Sequence, residues 1–427
     1  FVAVPLYTVS LPAGLSLVAL PIEPQNTDFR AAFGANTPVA RWDEAEQEWV
    51  TSATPADPVL ALAAGRGYFV NAGAAINNNV AGTAIPTNVG FDIAVDTGWT
   101  MAGNPYPANL AWANIGVASG GVIRDYGFIY DRAIGDYRIV ADVAGIGILD
   151  TIPNGAGFWM RSDAPRVVRI NAPALAAAEP AGSFALGAGD WVLPIRAEVA
   201  GRVDQCAALG VVKSAGQLPA GGKILNPPST GGSVDLYFVE DGKELAYDVR
   251  STATGSDTWK FEVVSQVAGQ PVTISMPDLS TLPADKQVTL VDTAANRRIY
   301  LRTTQAYTYE AEVGAPRAFE IVVAPRSIAA LTITSASANV SNGGQVALTY
   351  ALSQDAAVTV EIMNISGRPI KSVTAGKAAS AGVNTELWDL RSSAGTKVPA
   401  GRYLVTVTAA ADNGQQARAV IPVQVNR

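Results

Sequence analysis

Histidine is absent from all 427 residues, and cysteine occurs once, at Cys206. Because imidazole is the commonest general base and metal ligand, its absence excludes Ser-His-Asp and Cys-His catalytic sites and histidine-ligated zinc. A single thiol cannot form a disulfide within the chain. Cys206 lies in a mostly apolar stretch, so we expect a small buried side chain there rather than a thiolate nucleophile. The composition predicts a protein that is not an enzyme and that holds neither a cofactor nor a metal.

Charge is also scarce, at 16% of residues, where about 25% is usual in soluble domains. The net charge of −7 means that the chain lacks the excess of basic residues that binds nucleic acid. We therefore do not expect nucleic acid as a partner. No apolar run reaches the roughly 18 to 20 residues of a membrane helix, so we expect no membrane-spanning segment. A chain of 427 residues is too long for one core and predicts about two to four domains.

Two segments of the N-terminal part, residues 14–73 and 98–163, repeat one pattern of short apolar runs separated by turn residues. Such runs are typical of β-strands joined by hairpins. Residues 1–178 are therefore predicted to form a duplicated β-rich module. Each copy has a glycine-led first run and a later Gly-x-Gly-aromatic run, in the pairs Gly14–Pro21 with Gly98–Pro105 and Gly65–Val70 with Gly155–Met160.

Trp42 and Trp49 flank an acidic stretch, which predicts a hairpin with a polar tip and with aromatic rings paired across its strands. The acidic side chains raise the alternative of a calcium site. A solvated tip is favoured because no Asp-x-Asp-x-Asp-Gly loop occurs. The acidic residues of the tip are Asp43, Glu44, Glu46 and Glu48.

The segment Gly98–Pro107 reads Gly-Trp-Thr-Met-Ala-Gly-Asn-Pro-Tyr-Pro. It resembles the Gly-Trp-x-hydrophobic-x-Gly-Asn-Pro-Tyr-Pro signature of β-rich modules in large secreted and surface proteins of bacteria. The first copy departs from this signature, with Leu15 in place of the tryptophan and Ala19-Leu20 in place of Gly-Asn. The resemblance extends over the duplicated segment. It implies no catalytic activity.

Residues 179–325 continue the pattern of short strands and are predicted to form a β-sandwich. Polar and apolar residues alternate in Asp257–Val263, as expected for a strand with one buried face. The candidate strands are Trp191–Ile195, Val234–Val239, Leu245–Arg250, Trp259–Val264, Val272–Met276, Val288–Val291, Ile299–Leu301 and Phe319–Val323.

Residues 326–427 have about the length of one immunoglobulin-like domain, and alternating apolar positions predict a β-sandwich here as well. The predicted strands are Leu331–Thr334, Gln345–Leu352, Val358–Met363, Ile370–Thr374, Thr385–Leu390, Arg402–Ala409 and Arg418–Val425.

The run Val360–Ile370 resembles the hydrophobic-Tyr-Asp-x-x-Gly-Arg hairpin of the immunoglobulin-like domain named after the flagellar hook-capping protein. The family's further motifs follow in order, at Gly382–Asn384, Trp388-Asp389, Gly395 and Val398–Tyr403. Asn364-Ile365 and Leu390 are departures from the family pattern. The resemblance implies a structural module like those at the C-termini of many exported bacterial proteins, with Trp388 and Tyr403 in its core. The rest of the chain does not resemble the hook-capping protein, so the resemblance of this one domain does not imply a flagellar role for the chain.

Aspartates and tyrosines lie together between residues 125 and 142. Aromatic rings stack on sugar rings, and carboxylates accept hydrogen bonds from hydroxyls, so this segment offers a candidate sugar-contact surface. Paired strands of a β module explain the same residues and are the favoured interpretation. The candidate residues are Tyr126, Tyr130, Asp131 and Tyr137, and the other aspartates are Asp125, Asp136 and Asp142.

The first eleven residues form an apolar, β-prone arm. Donated to a neighbour, the arm would be an inter-subunit strand; folded back, it is the first strand of the first module, and this second interpretation is favoured. Because the chain begins at a phenylalanine, we also expect either a trimmed chain or removal of a signal peptide, and a final location outside the cell or on its surface. The candidate inter-subunit residues are Phe1, Val2, Val4, Leu6 and Val9.

Low charge, missing reactive residues and tandem β modules favour a non-catalytic structural subunit of an exported bacterial surface assembly, a filament or a layer. Its contacts would join copies of the same chain into a homopolymer. The alternative is a monomeric cell-surface adhesin or carbohydrate-binding protein with a glycan as partner. An enzyme that uses carboxylates alone would need a deep cleft with two facing carboxylates.

Overall fold

The computed structural model describes residues 5–52, 57–115, 123–173, 182–230, 234–326, 330–340, 344–411 and 414–426. Strands dominate these ranges, and their one α-helix is the short α1 (Phe29–Phe33), capped by the Asp28 carboxylate, which accepts a hydrogen bond from Arg30 N. Within the same ranges, no helix combines the length and the apolarity that a membrane span requires. The prediction of an all-β, multidomain fold is confirmed. Short 3-10 helices occur at Pro58–Leu60, Trp112–Asn114, Ala215–Gln217 and Pro219–Gly222.

The chain divides into two compact units. The first contains Phe1–Tyr237 and Asp241–Thr252, and the second contains Phe238–Glu240 and Ala253–Arg427. The predicted boundary between residues 178 and 179 lies outside the described residues, and the division into three domains stays a prediction.

The strands that begin before Thr252 carry the two module copies and the sheet that follows them. They are β1 (Leu6–Leu11), β2 (Gly14–Ala19), β3 (Ile22–Pro24), β4 (Val39–Asp43), β5 (Glu48–Thr51), β6 (Gly67–Ala72), β7 (Ile76–Ala84), β8 (Phe91–Val95), β9 (Gly98–Gly103), β10 (Leu110–Ala111), β11 (Ile123–Asp131), β12 (Asp136–Ala141), β13 (Val143–Ala144), β14 (Thr151–Ile152), β15 (Gly157–Ser162), β16 (Arg166–Ile170), β17 (Gly182–Ser183), β18 (Trp191–Val199), β19 (Arg202–Val211), β20 (Lys223–Leu225), β21 (Val234–Glu240) and β22 (Lys243–Arg250).

The two module copies form four-stranded sheets with the same strand order. The first sheet runs β2-β6-β4-β5, and the second runs β9-β15-β11-β12. β2 and β9 occupy equivalent edges, and each begins at a glycine with positive φ, Gly14 at 104° and Gly98 at 109°. Glycine adopts this conformation without steric cost, which explains the glycine-led first run of each copy. The predicted duplication is present in the structure.

The two copies contact each other through equivalent backbone groups. Ala19 N donates a hydrogen bond to Gly155 O, and Gly103 N donates one to Gly65 O, both at 2.8 Å. Ala19 and Gly103 end the first strands of the two copies, whereas Gly65 and Gly155 open their Gly-x-Gly runs. The contact is therefore self-complementary, like the interface of a twofold dimer.

The second glycine of each Gly-x-Gly run permits this close approach. A Cβ on Gly67 would lie 2.5 Å from Ala102 O, and a Cβ on Gly157 would lie 3.0 Å from Val18 O. Side chains would push the two copies apart at both positions. The repeated motif thus serves the packing of one copy on the other, a role that the sequence analysis did not assign to it.

Tryptophans fill the core of the first unit. Trp159 is fully buried, and the rings of Trp42, Trp49 and Trp99 meet it edge-on at centroid distances of 5.8, 5.8 and 6.3 Å. Trp42 lies directly opposite Trp49 in the hairpin β4–β5, as predicted. Edge-on pairs of this kind add to the free energy gained by burying the rings.

The second unit continues with antiparallel strands. Its strands are β23 (Asp257–Ser265), β24 (Pro271–Ser275), β25 (Lys286–Asp292), β26 (Arg297–Tyr300), β27 (Ala306–Glu310), β28 (Arg317–Pro325), β29 (Ile333–Val340), β30 (Val346–Leu352), β31 (Ala356–Asn364), β32 (Pro369–Ala379), β33 (Gly382–Trp388), β34 (Gly401–Ala410) and β35 (Gln416–Val425). β23 pairs with β28, β28 with β25, β25 with β26, and β24 with β27.

The last seven strands form the immunoglobulin-like part, in which β29-β30-β33 lie in one sheet and β32-β31-β34-β35 in the other. The rings of Trp388 and Tyr403 meet in the core with centroids 5.5 Å apart. Trp388 Nε1 donates to Arg391 O, and Tyr403 Oη donates to Pro399 O. The core roles predicted for both aromatics are confirmed.

Candidate binding cleft

A cleft of about 430 Å³ opens in the first unit, where four segments of the chain converge. The end of the β11–β12 hairpin forms one wall, and the turn between β18 and β19 forms another. Residues of Asn226–Thr230, together with Val234 and Asp235 and two residues of the first module copy, complete the cleft. Its described lining residues include Leu15, Asn71, Tyr130, Ile134, Gly135, Asp136, Tyr137, Gly201, Arg202, Val203, Asp204, Cys206, Asn226, Pro227, Ser229, Thr230, Val234 and Asp235.

Asp136 joins the second module copy to β19. Its Oδ1 accepts a hydrogen bond from Tyr137 N at 2.6 Å, and its Oδ2 accepts from Gln205 N at 2.6 Å and Cys206 N at 3.0 Å. The β18–β19 ladder shifts register at this point, so Gln205 and Cys206 lie in a bulge. A bulge leaves backbone N–H groups without ladder partners, and the Asp136 carboxylate takes both of them.

Asp204 and Asp235 are hydrogen-bonded to each other through their carboxyl groups. Asp204 Oδ2 also accepts from Leu236 N at 2.6 Å, and Asp235 Oδ1 accepts from Asn226 Nδ2 at 3.1 Å. A hydrogen bond between two carboxyl groups requires a proton on one of them. We call Asp136, Asp204 and Asp235 the carboxyl cluster.

Burial favours the protonated form of each member of the carboxyl cluster. It raises the pKa of Asp136 from 3.8 to about 6, against the opposing effect of the three backbone N–H donors. Burial likewise raises the pKa of Asp235 to about 6, with a smaller contribution from the negative charge of Glu244. The pKa of Asp204 is raised by burial and then by the charges of its two partners. The cluster therefore retains protons at a pH where ordinary aspartates have lost them.

Tyr130 and Tyr137, two of the predicted sugar-contact residues, line the cleft. Tyr137 is mostly buried; its Oη accepts from Trp159 Nε1 and donates to Pro228 O, both at 3.1 Å. Tyr130 is half-buried, and its ring lies edge-on to Tyr137 at 5.9 Å. No hydrogen bond to Tyr130 Oη is made within the described part of the chain.

The other two predicted sugar-contact residues lie outside the cleft lining. Tyr126 is fully buried, and its Oη accepts from Leu225 N at 3.0 Å, so its ring is not offered to a ligand. Asp131 forms an ion pair with Arg138 at 2.7 Å and accepts a hydrogen bond from Ala133 N. The structure thus brings Tyr130 and Tyr137 together and assigns Tyr126 and Asp131 to packing and turn formation.

Cys206 is half-buried on the cleft floor. Burial raises the pKa of its thiol, and the charges of Asp136 and Asp204 raise it further, whereas Arg138 acts in the opposite direction. A thiol held in the protonated form is a poor nucleophile. This environment agrees with the expected packing role.

The N-terminal arm contributes a strand to its own chain. β1 pairs antiparallel with β7, from Leu6↔Ala81 to Leu11↔Ile76. Leu6 is exposed and Val9 is buried, so one face of the strand packs on the module. This is the folded-back arrangement that the sequence analysis favoured. Phe1, Val2 and Val4 lie outside the described residues, and their role in an inter-subunit strand stays a prediction.

The acidic hairpin tip is held by local bonds. Glu44 forms an ion pair with Arg41 at 2.6 Å, and Asp43 Oδ1 accepts from the backbone N–H groups of Ala45 and Glu46. These bonds occupy two of the four carboxylates in stabilising the turn. Across the residues that the structure describes, no group of three or more acidic or cysteine side chains has an arrangement suited to a metal ion.

Three residues of the cleft, Asp204, Asp235 and Asn226, were not predicted as site residues from the sequence. Asp204 comes shortly before the apolar run Cys206–Val212, and Asp235 lies between Val234 and Leu236. An aspartate inside or beside an apolar strand run is the one signal that could have identified Asp204 and Asp235, and it does not apply to Asn226.

The immunoglobulin-like part presents a second surface of interest, the outward face of the sheet β29-β30-β33. Three residues from each strand alternate with the core positions and lie opposite one another in register. Val383 and Leu387 are 74% and 59% exposed. We call these nine residues the uncharged face: Ser335, Ser337, Asn339, Ala347, Thr349, Ala351, Val383, Thr385 and Leu387.

Comparison with known families identifies the C-terminal part. Residues 335–413 match the family model of the FlgD Ig-like domain, which confirms the resemblance read from the motifs. The match covers less than a fifth of the chain and lies in its C-terminal part. No curated protein matches the chain significantly.

Three solved structures show distant similarity to the chain. The bacterial orthologue of human α-L-iduronidase is 10% identical, with 40% of this chain and 38% of that chain covered and a TM-score of 0.19. A β-glucuronidase from Ruminococcus gnavus is 6% identical over 48% of each chain, with a TM-score of 0.16. Dimeric latent PorU from Porphyromonas gingivalis is 11% identical, with 99% of this chain and 30% of that chain covered and a TM-score of 0.17. The chain spans less than half the length of each of these structures, and TM-scores this low establish no shared fold.

Proposed function

We propose that the protein is a non-catalytic structural subunit of a bacterial surface assembly, outside the cell, in which copies of the chain contact one another. The uncharged face carries this proposal. The FlgD Ig-like match and the low overall charge support it, because such modules resemble structural ends of exported proteins and because uncharged surfaces are easily brought together.

The uncharged face is unusual for a surface directed at water. Antiparallel sheets normally place polar and charged side chains on their solvated face, and charged residues there prevent unwanted association. The other sheet of the same domain follows this rule, with Glu361, Arg402 and Arg418 at outward positions. The contrast between the two sheets favours the uncharged face as a contact surface.

A second copy of the chain is the partner that charge favours. The net charge of −7 makes two copies repel each other over most of their surface. Two uncharged faces can meet without placing like charges opposite one another. No charge has to be desolvated there, and burial of Val383 and Leu387 is favourable by about 25 cal/mol per Å² of apolar surface.

The carboxyl cluster supports the non-catalytic part of the proposal. Glycoside hydrolysis needs two carboxyl groups about 5 to 10 Å apart, on either side of the scissile bond. Asp204 and Asp235 are instead in hydrogen-bond contact, and Asp136 is occupied by three backbone N–H groups. Carboxyl groups engaged in this way hold the fold together and do not face each other across a substrate.

Electron microscopy of the negatively stained full chain, with light scattering of the purified protein, tests the proposal. We expect regular filaments or layers from the wild type, and loss of assembly in Leu387→Lys, because the new charge lies in the uncharged face. Val420→Lys is the matched control, since Val420 is 52% exposed on the opposite sheet. Both sites are exposed, so both variants should melt like the wild type.

Two results would contradict the proposal. The first is a monodisperse wild-type particle of 44.2 kDa at high concentration. The second is assembly that survives Leu387→Lys unchanged. Equal loss of assembly in both lysine variants would show a general effect of added charge. It would contradict a specific role of the uncharged face in the contact between copies.

A further inference from the structure

We infer that the cleft of the first unit binds a neutral saccharide, a role separate from any contact between copies of the chain. The inference rests on the shape of the cleft, on hydrogen-bonding groups that the fold leaves unused inside it, and on the charge of its floor.

The cleft is built before any ligand arrives. Two side chains of the module copies hold the Asn226–Thr230 segment in place: Trp49 Nε1 donates to Ser229 O, and Tyr137 Oη donates to Pro228 O, both at 3.1 Å. The volume of about 430 Å³ lies within the range of about 300 to 1,000 Å³ typical of small-molecule sites. A wall fixed by such bonds loses little entropy when a ligand binds.

Several polar groups that line the cleft have no hydrogen-bond partner in the part of the chain that the structure describes. Among the described residues, the side chains of Asn71, Tyr130 and Thr230 make no hydrogen bond, although all three line the cleft. Together they offer an amide and two hydroxyl groups, which can both donate and accept. The Tyr130 ring and Leu15 add an apolar patch beside these groups. An apolar patch next to mixed donors and acceptors suits a sugar ring, whose C–H face packs on an aromatic ring while its hydroxyls form hydrogen bonds.

The floor of the cleft selects against negative charge. The carboxyl cluster would repel a carboxylate or a phosphate, and Arg202 at the rim is the only cation among the described lining residues. The proton shared by Asp204 and Asp235 already lowers the negative charge of that pair, so the cluster does not depend on a bound cation. Carboxyl oxygens with lone pairs to spare remain as acceptors for sugar hydroxyls. A neutral polyhydroxylated ligand meets these conditions.

Isothermal titration calorimetry of the full chain tests the inference. The probes are neutral cello-, malto-, xylo- and manno-oligosaccharides, with oligogalacturonate as the acidic counterpart. We expect saturable binding of at least one neutral series and none of oligogalacturonate. Asn71→Ala should weaken that binding at least tenfold, because the residue is exposed and its side chain serves no bond of the fold. Asn154→Ala, an exposed asparagine outside the cleft, is the matched control and should bind like the wild type.

Substitutions of Tyr130 separate stacking from hydrogen bonding. Tyr130→Phe keeps the ring and removes the hydroxyl, so it should weaken binding less than Tyr130→Ala does. The ring packs against Phe69 and Tyr137, so Tyr130→Ala could also affect folding. Its melting temperature is therefore measured first, and the titration is run at a temperature at which both the variant and the wild type are folded. Failure of every neutral series to bind, equal binding of oligogalacturonate, or wild-type affinity in Asn71→Ala would overturn the inference. None of these outcomes bears on assembly through the uncharged face.

Discussion

Replacing Asp235 by asparagine should stabilise the first unit at about pH 8 and leave its stability almost unchanged at about pH 4. At the higher pH the wild type must hold an ionised Asp235 in a buried site, where desolvation opposes the charge. The amide introduced by Asp235→Asn is neutral at every pH and avoids this cost. The substitution is nearly isosteric, so packing around the site should be retained.

The size of the effect follows from the pKa of Asp235. Burial raises that pKa from 3.8 to about 6, and a difference of about two units corresponds to about 3 kcal/mol. A group whose pKa is raised on folding contributes its full stabilisation below its unfolded-state pKa. The contribution declines as the pH rises from about 4 to about 6 and is lost above that range. The difference in free energy of unfolding between Asp235→Asn and the wild type should therefore grow by up to about 3 kcal/mol across this window.

Urea unfolding at a series of pH values, followed by tryptophan fluorescence, measures this difference. Most of the eight tryptophans lie in the first unit and report its unfolding. Comparing variant and wild type at each pH removes the contribution of titrating groups that do not interact with Asp235. Asp142→Asn, an exposed carboxylate of the same unit, is the control and should follow the wild type. A difference between Asp235→Asn and the wild type that does not vary with pH would refute the reasoning.

Two further substitutions test the packing of the module copies and the arm. Gly67→Ala should lower the free energy of unfolding of the first unit by about 1 to 3 kcal/mol, since its Cβ would meet Ala102 O; Gly73→Ala, with open space around it, should be neutral in the same urea titration. Deleting residues 1–11 should lower the melting temperature, because β1 pairs with β7, yet assembly seen by electron microscopy should survive. Loss of assembly in a deletion variant that still folds would instead support strand donation.

Local signals made the module copies predictable. The Trp42–Trp49 hairpin and the Gly-x-Gly runs have their partners nearby in sequence or in the repeat, so their patterns could be read directly. The C-terminal strands were predictable for the same reason, except the first. The prediction placed that strand at Leu331–Thr334, whereas it spans Ile333–Val340. Its small residues carry little apolar signal, and it is the ladder to β30 that makes them a strand.

The cleft could not be predicted because its parts are remote in sequence. β19 was missed as a strand, since its first half is polar and bulged. Asp136 was noted only for the tyrosines beside it, although its partners Gln205 and Cys206 lie about seventy residues further on. The sequence around Asp204 and around Asp235 does not predict that the two carboxyl groups are in contact. Such contacts are set by tertiary packing, which overrides the expectation that charged residues point to water.

The two module copies pair through reciprocal bonds, as the two subunits of a symmetric dimer do, but they belong to one chain. Two separate chains with the same contact would dissociate as they were diluted. Joining them in one chain replaces the protein concentration by a fixed effective concentration set by the connection between residues 73 and 98. The pairing of Ala19 with Gly155 and of Gly103 with Gly65 is therefore as complete in a dilute solution as in a crowded one.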